Sequence, residues 1–244
     1  MSTLVMRERP AAFSPRSKAR IAGLLYLLVI VGGMFAELFV RGRLMVHGDA
    51  VATAHNIVAH QLLYRMGFAV EVFDCACNLP LILIFYDLFK AVNRTFAVLV
   101  VFFSLVGTAV ESVSLLCHFA PLVLLGSQQY LNAFTTEQLQ DCGYLSIKLF
   151  ESGFAVALVF FGFYCLCFGY LIIRSTFFPR VIGALLSIQG LCYLLNSFAT
   201  FLAPTFAARF FSYLMISGIG EVFLCLWLLV VGVNTSRWHE ASAA

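Results

Sequence analysis

Charge is what this sequence has least of. Only 11% of its 244 residues are Asp, Glu, Lys or Arg, while 62% are hydrophobic. A soluble domain usually carries about 25% charged residues and at most about 50% apolar ones. So few charges cannot cover the surface of a water-soluble globule, which excludes a soluble enzyme. The mean hydropathy of +0.96 points the same way. A disordered chain, a collagen and a secreted disulfide scaffold fail on the same composition. There is no basic patch beyond a short N-terminal tail, so nucleic acid is excluded as a partner. The chain also lacks HExxH, a repeated His-x-x-x-His and a nucleophile elbow, the short motifs by which metallohydrolases and serine hydrolases announce themselves.

What is present is a series of long apolar runs. A helix rises about 1.5 Å per residue, so about 20 apolar residues cross about 30 Å of hydrocarbon. Such runs occupy Ile21 to Val40, Met66 to Phe89, Phe96 to Leu125, Tyr144 to Ile173, Val181 to Ala203 and Phe210 to Val233. They lack the period-two alternation of barrel strands. The fold expected is all-α, a polytopic bundle of six transmembrane helices over residues 19–234. A basic tail, residues 1–18, precedes it and a short tail, residues 235–244, follows it. The first run is too long for a signal peptide and lacks a small-x-small cleavage site, so it reads as a retained span.

Lys and Arg set the orientation. Arg7, Arg9, Arg16, Lys18 and Arg20 lie in the N-terminal tail. Lys90, Arg94, Arg174, Arg180 and Arg237 fall on the same side. Arg41, Arg43, Arg65, Lys148 and Arg209 fall on the other, and the loop from Gly126 to Leu145 has none. The positive-inside rule then puts both termini in the cytoplasm. Most of the eight cysteines lie inside spans. The Cys75/Cys77 and Cys165/Cys167 pairs point about 200° apart on a helix and read as small apolar filler. Cys117 and Cys142 fall near the outer face, where a disulfide is an open alternative.

The ionisable groups concentrate in the half of the bundle away from the termini, and they share helix faces. Asn56, His60, Tyr64, Glu71, Asp74 and Asn78 form one stripe, which requires the second helix to begin near Ala50. Ser104, Thr108, Glu111, Ser114 and His118 form another in the third helix. Glu137, Asp141, Tyr144, Lys148 and Glu151 form one in the fourth, and Ser217 and Glu221 lie one turn apart in the sixth. A charge at the bilayer centre costs on the order of 2.5–3.5 kcal/mol even on lenient scales, so these faces should turn inward. The expected site is a pocket of Glu37, His60, Tyr64, Glu71, Asp74, Asn78, Glu111, His118, Lys148, Glu151, Asn196 and Glu221; in the plainer alternative these groups bond helix to helix and Lys148 neutralises Glu111 or Glu71. Acids outnumber buried bases there, so some carboxyls must share protons or hold a cation.

Three functions fit that pocket. The first is a carrier or channel for a cation or a proton-linked small solute. The second is an intramembrane enzyme acting on a lipid or apolar substrate, with a divalent metal held by Glu111, His118 and His60. The third is a non-catalytic sensor or accessory subunit in the lipid bilayer. The plain alternative to all three is helix-to-helix hydrogen bonding, worth only about 0.6 kcal/mol per contact.

Spacings recur along the chain. Arg20 precedes Glu37, and Arg94 precedes Glu111, by 17 residues; Arg180 precedes Asn196 by 16. Gly67-Phe-Ala-Val70 matches Gly153-Phe-Ala-Val156, and Glu71-Val-Phe-Asp-Cys75 resembles Glu221-Val-Phe-Leu-Cys225. Three related hairpins would explain these echoes. The stretch Ala54-His-Asn-Ile-Val-Ala-His-Gln-Leu-Leu-Tyr-Arg65, with Val92-Asn-Arg94, Asn196-Ser-Phe and Gly220-Glu221, resembles bacterial integral membrane proteins. These are grouped as the domain-of-unknown-function family numbered forty-three eighty-six. The likeness runs from about Ala19 to Asn234. It implies a multi-pass helical protein of a bacterial plasma membrane and transfers no catalytic residue.

Overall fold

The computed structural model describes residues 14–126, 131–205, 207 and 218–243. Ser217, Arg209, Arg7 and Arg9, all invoked above, lie outside them. All the regular elements among the described residues are helical: α1 (Pro15–Met34), a π-helical segment (Phe35–Arg41), α2 (Gly42–Leu44), α3 (Ala50–Ala59), α4 (Gln61–Phe89), α5 (Arg94–Leu124), α6 (Thr136–Arg174), α7 (Arg180–Leu202), α8 (Ile219–Val230) and α9 (Thr235–Ala243). Five helical stretches are long and apolar enough to cross a membrane, the first being Pro15–Leu44 taken whole. A sixth appears if α8 and α9, bent by 107° at their junction, count together.

Local signals set the helix ends. Ser14, Asp49, Asn93 and Thr135 each accept an N-terminal backbone N–H, and Thr135 with Gln138 completes a capping box. Two boundaries differ from expectation. The chain does not run as one helix from Ala50, because it breaks at His60 (φ −121°, ψ 39°) and restarts as α4. The fourth span begins at Thr136, so α6 has 39 residues, about 58 Å, and overshoots the hydrocarbon by several turns. Its acidic first turns are exposed at the end that overshoots.

Each long helix packs against the next. α1 meets α4, α4 meets α5, α5 meets α6, α6 meets α7 and α7 meets α8, and α8 closes the ring on α1. The α6–α7 seam is the tightest, because glycines seven residues apart face each other in antiparallel order. A Cβ at Gly183 would lie 2.6 Å from the Gly169 carbonyl, and one at Gly190 the same distance from that of Gly162. Backbones approach this closely only where side chains are absent, which is how helices associate without a hydrophobic drive between them.

The hairpin echoes have a counterpart in packing. Gly67 of α4 packs on Val40, and Gly153 of α6 packs on Ser114. Val40 and Ser114 each lie three residues after Glu37 and Glu111, so the first two hairpins join at matching positions.

The apolar core fills the end that carries both described termini. Phe168 contacts Phe85 and Phe89 at 4.6 and 5.1 Å between ring centres, and Phe89 also meets Phe177 and Phe178. Lys18 and Lys90 flank Asp87 at this same end. Those partly solvated pairs are worth at most about 1 kcal/mol. Asp87→Asn should therefore shift stability by less than about 1 kcal/mol, read from thermal melting in detergent. A smaller core of Val40, Leu44, Ile57, Tyr64, Leu122 and Ile147 closes the opposite end.

Candidate functional site

The opposite end holds a compact ionic cluster, and its centre is a residue the sequence reading placed in a loop. The π-helical segment widens the turn after Met34, and the Gly42 N–H reaches back to the Glu37 carbonyl, five residues earlier. Such insertions are frequent at functional sites. Here the segment carries Glu37 and Arg41 on one face. Arg41 Nε and Nη2 each lie 2.8 Å from Glu37 Oε2, and its Nη1 donates to Glu71 Oε1 on α4. One guanidinium thus bridges two carboxylates, of which Glu71 is 9% exposed and Glu37 46%.

His118 of α5 meets the second Glu71 oxygen. Its Nδ1 lies 2.8 Å from Glu71 Oε2, with the ring wholly buried. The approach is close but out of line. Among the described residues neither imidazole nitrogen, nor Glu71 Oε2, makes an aligned hydrogen bond. The ring is held by aromatics instead, stacked on Phe150 at 4.9 Å and edge-on to Tyr64 at 4.8 Å. Phe150 also carries the Arg41 guanidinium, 5.2 Å from its ring centre. Cation and imidazole therefore share one aromatic platform. The Tyr64 hydroxyl donates to the His118 carbonyl at 2.7 Å, tying α4 to α5. Tyr64→Phe should cost about 1 kcal/mol, the usual worth of a hydrogen bond, and leave the melting of the double variant Tyr64→Phe/Asp87→Asn additive.

Around this centre the stripe on α4 holds from Tyr64 onward. Asp74 is buried with its carboxylate against the α1 backbone, so that a Cβ at Gly32 would sit 2.2 Å from Oδ2. Asn78 Nδ2 donates to Thr108 and Ser104 at 2.6 and 3.0 Å. Glu111 is half-buried on α5, within electrostatic reach of Glu71, Arg41 and Asp74.

Several predicted members stand elsewhere. His60 sits at the α3–α4 break and is exposed. Lys148 does not neutralise Glu71 or Glu111. It bonds Glu151 three residues on, at 2.8 and 3.0 Å, in a pair about two-fifths exposed on the overshooting part of α6. Among the described residues no three His, Cys, Asp or Glu side chains are placed to hold a metal ion, so the His60, Glu111 and His118 set is not assembled. All eight cysteines are unpaired, so Cys117 and Cys142 form no disulfide. Asn196 is buried in α7, and no hydrogen bond links its side chain to the cluster among the described residues.

Glu221 belongs to a second polar group nearer the middle of the bundle. Its backbone N–H donates to Gln189 Oε1 at 3.3 Å, and Gln189 Nε2 reaches the Tyr193 hydroxyl at 2.8 Å. The Glu221 carboxyl itself lies against Tyr26 and Gln189. That group ties α7 and α8 to α1, whereas the Arg41 group joins the π-helical segment, α4, α5 and α6.

The family model described as a domain of unknown function (DUF4386) matches residues 21–232. No curated protein and no solved structure matches.

Proposed function

Since the chain belongs to the DUF4386 family, whose members share a domain of unknown function, we propose a role from its buried chemistry: a carrier that couples a small solute or cation to protons. The observation that carries this is the shared guanidinium. Arg41 bridges Glu37 and Glu71 while the wholly buried His118 faces Glu71. Among the described residues, Glu37 and Glu71 contact this one permanent cation, Glu71 also meets the imidazole, and Asp74 and Glu111 lie within electrostatic reach of Glu71. In apolar surroundings that excess of acid is relieved by protons or by a bound cation. Intramembrane ionisable groups facing a bundle interior mark ion and proton paths more often than glue. A metal-dependent enzyme is less well supported, because no three-ligand set is assembled among the described residues.

The membrane is that of a bacterial cell, with both termini cytoplasmic and the cluster towards the outside. The grouping of basic residues supports this reading. Lys18, Lys90, Arg237 and the ends of α6 and α7 bearing Arg174 and Arg180 gather at one end of the bundle. Proton movement into liposomes under an imposed potential, followed with an entrapped pH dye, tests the reading. The wild type should exceed empty vesicles, Glu71→Gln and Glu111→Gln should fall at least about tenfold, and Asp87→Asn should match the wild type. Wild-type flux equal to that of empty vesicles would refute it.

A further inference from the structure

A second site lies at the opposite end of the bundle, at the bend between α8 and α9. The chain turns there because both Val231 and Gly232 donate to the Trp227 carbonyl, at 2.9 and 2.8 Å, and Gly232 takes φ +73°. A residue with a Cβ resists that left-handed conformation, so glycine ends the helix. α9 then lies across the end of the bundle, with Trp238 Nε1 donating to the Leu88 carbonyl at 3.0 Å.

The bend encloses a cleft of about 410 Å³ between Thr176–Pro179 of the α6–α7 loop, Trp227 of α8, Val231 at its C-terminal cap, and Asn234 and Arg237 beyond the turn. Its size is that of a small-ligand pocket. Its chemistry is one-sided, because no acidic side chain lines it among the described residues. Arg237 spends one N–H on the Thr176 carbonyl at 3.1 Å and has no ion pair among the described residues. The indole N–H of Trp227 is buried without an acceptor among the described residues. Arg16 packs its stem against Gly232, and Arg180 follows Pro179 directly. The N-terminus of α7, which has no side-chain cap, opens at Pro179 on the same wall. Donors and positive charge line a concave site whose own acceptors, the Thr176 carbonyl and the Asn234 amide oxygen, are already used by Arg237 and by Ser236. On the flank, Val181 and Val230 are about 70% exposed, offering an apolar track that leads from the cleft.

We infer that this cleft binds the phosphate headgroup of an anionic phospholipid, with the acyl chains along the Val181 and Val230 flank. A phosphodiester supplies acceptors for Trp227 Nε1 and for the Arg237 N–H groups beyond the one held by Thr176, and the uncapped helix end adds backbone donors. Basic pockets between transmembrane helices at the cytoplasmic surface hold such headgroups. This inference is independent of proton coupling at the Arg41 cluster.

Native mass spectrometry of the detergent-solubilised protein, offered equal phosphatidylglycerol and phosphatidylcholine, tests it. The anionic lipid should be retained at least about tenfold more than the zwitterionic one. Arg237→Gln should cut that preference at least about fivefold. Trp227→Phe should weaken it too, while Arg94→Gln, at the same end but outside the cleft, should leave it intact. Millimolar inorganic phosphate should not displace the lipid. Equal retention of the two lipids, an unaffected Arg237→Gln variant, or displacement by phosphate alone would overturn the assignment. Should Arg237→Gln elute as an aggregate, Trp227→Phe decides the matter by the same readout.

Discussion

Arg41→Ala should destabilise the protein by about 3–5 kcal/mol, the usual cost of removing one partner from a buried ion pair. The size of the effect follows from what is left behind. Glu71, 9% exposed, would lose the only permanent cation it contacts among the described residues, leaving His118 to face it. Glu37 is nearly half exposed and can turn to water, so it contributes less. Lysine at the same position should recover only part of the loss, because a point charge cannot span both carboxylates while lying flat on Phe150. Thermal melting in a single detergent reads all three proteins. A loss below about 1 kcal/mol for Arg41→Ala would mean that solvent reaches the pair.

The second large effect belongs to the α6–α7 seam. Gly183→Leu should cost about 3 kcal/mol, at the upper end of overpacking penalties. Besides the Ile173 side chain, two backbone atoms stand in the way: the Gly169 carbonyl at 2.6 Å and the Ile173 nitrogen at 3.0 Å from the new Cβ. Neither can swing aside, so the helices must part. Gly33→Ala is the matched control, since nothing lies within 4 Å of a Cβ there. It should gain up to about 1 kcal/mol from helix propensity. Equal melting of the two variants would show that the seam tolerates separation.

The sequence made some of this architecture easy to read and hid the rest for identifiable reasons. Long apolar runs revealed the membrane helices because hydropathy acts over whole turns and tolerates errors in boundaries. The stripe Tyr64, Glu71, Asp74 and Asn78 was readable because α4 is continuous over it. The same stripe failed at His60, where a break in the helix rotates everything before it. Arg41 was missed although it stands four residues after Glu37, a spacing that pairs charges on any helix. Its position at the end of an apolar run suggested a loop, and nothing in Phe35–Arg41 announces a π-helical segment. Lys148 erred the other way. Its partner Glu151 was three residues away, a local pairing that should have been preferred to a distant one. Phe150, the platform under Arg41 and His118, is one of 26 phenylalanines and has no mark to distinguish it.

Arg41, Glu71 and their neighbours should behave as one coupled charge group inside the bundle. A double-mutant cycle between Arg41→Ala and Glu71→Gln, read as unfolding free energy in one detergent, tests it most directly. Removing both charges should be markedly less harmful than the sum of the single losses, with a coupling of about 2 kcal/mol. Additive losses, within about 0.3–0.5 kcal/mol, would show that the two charges are not coupled.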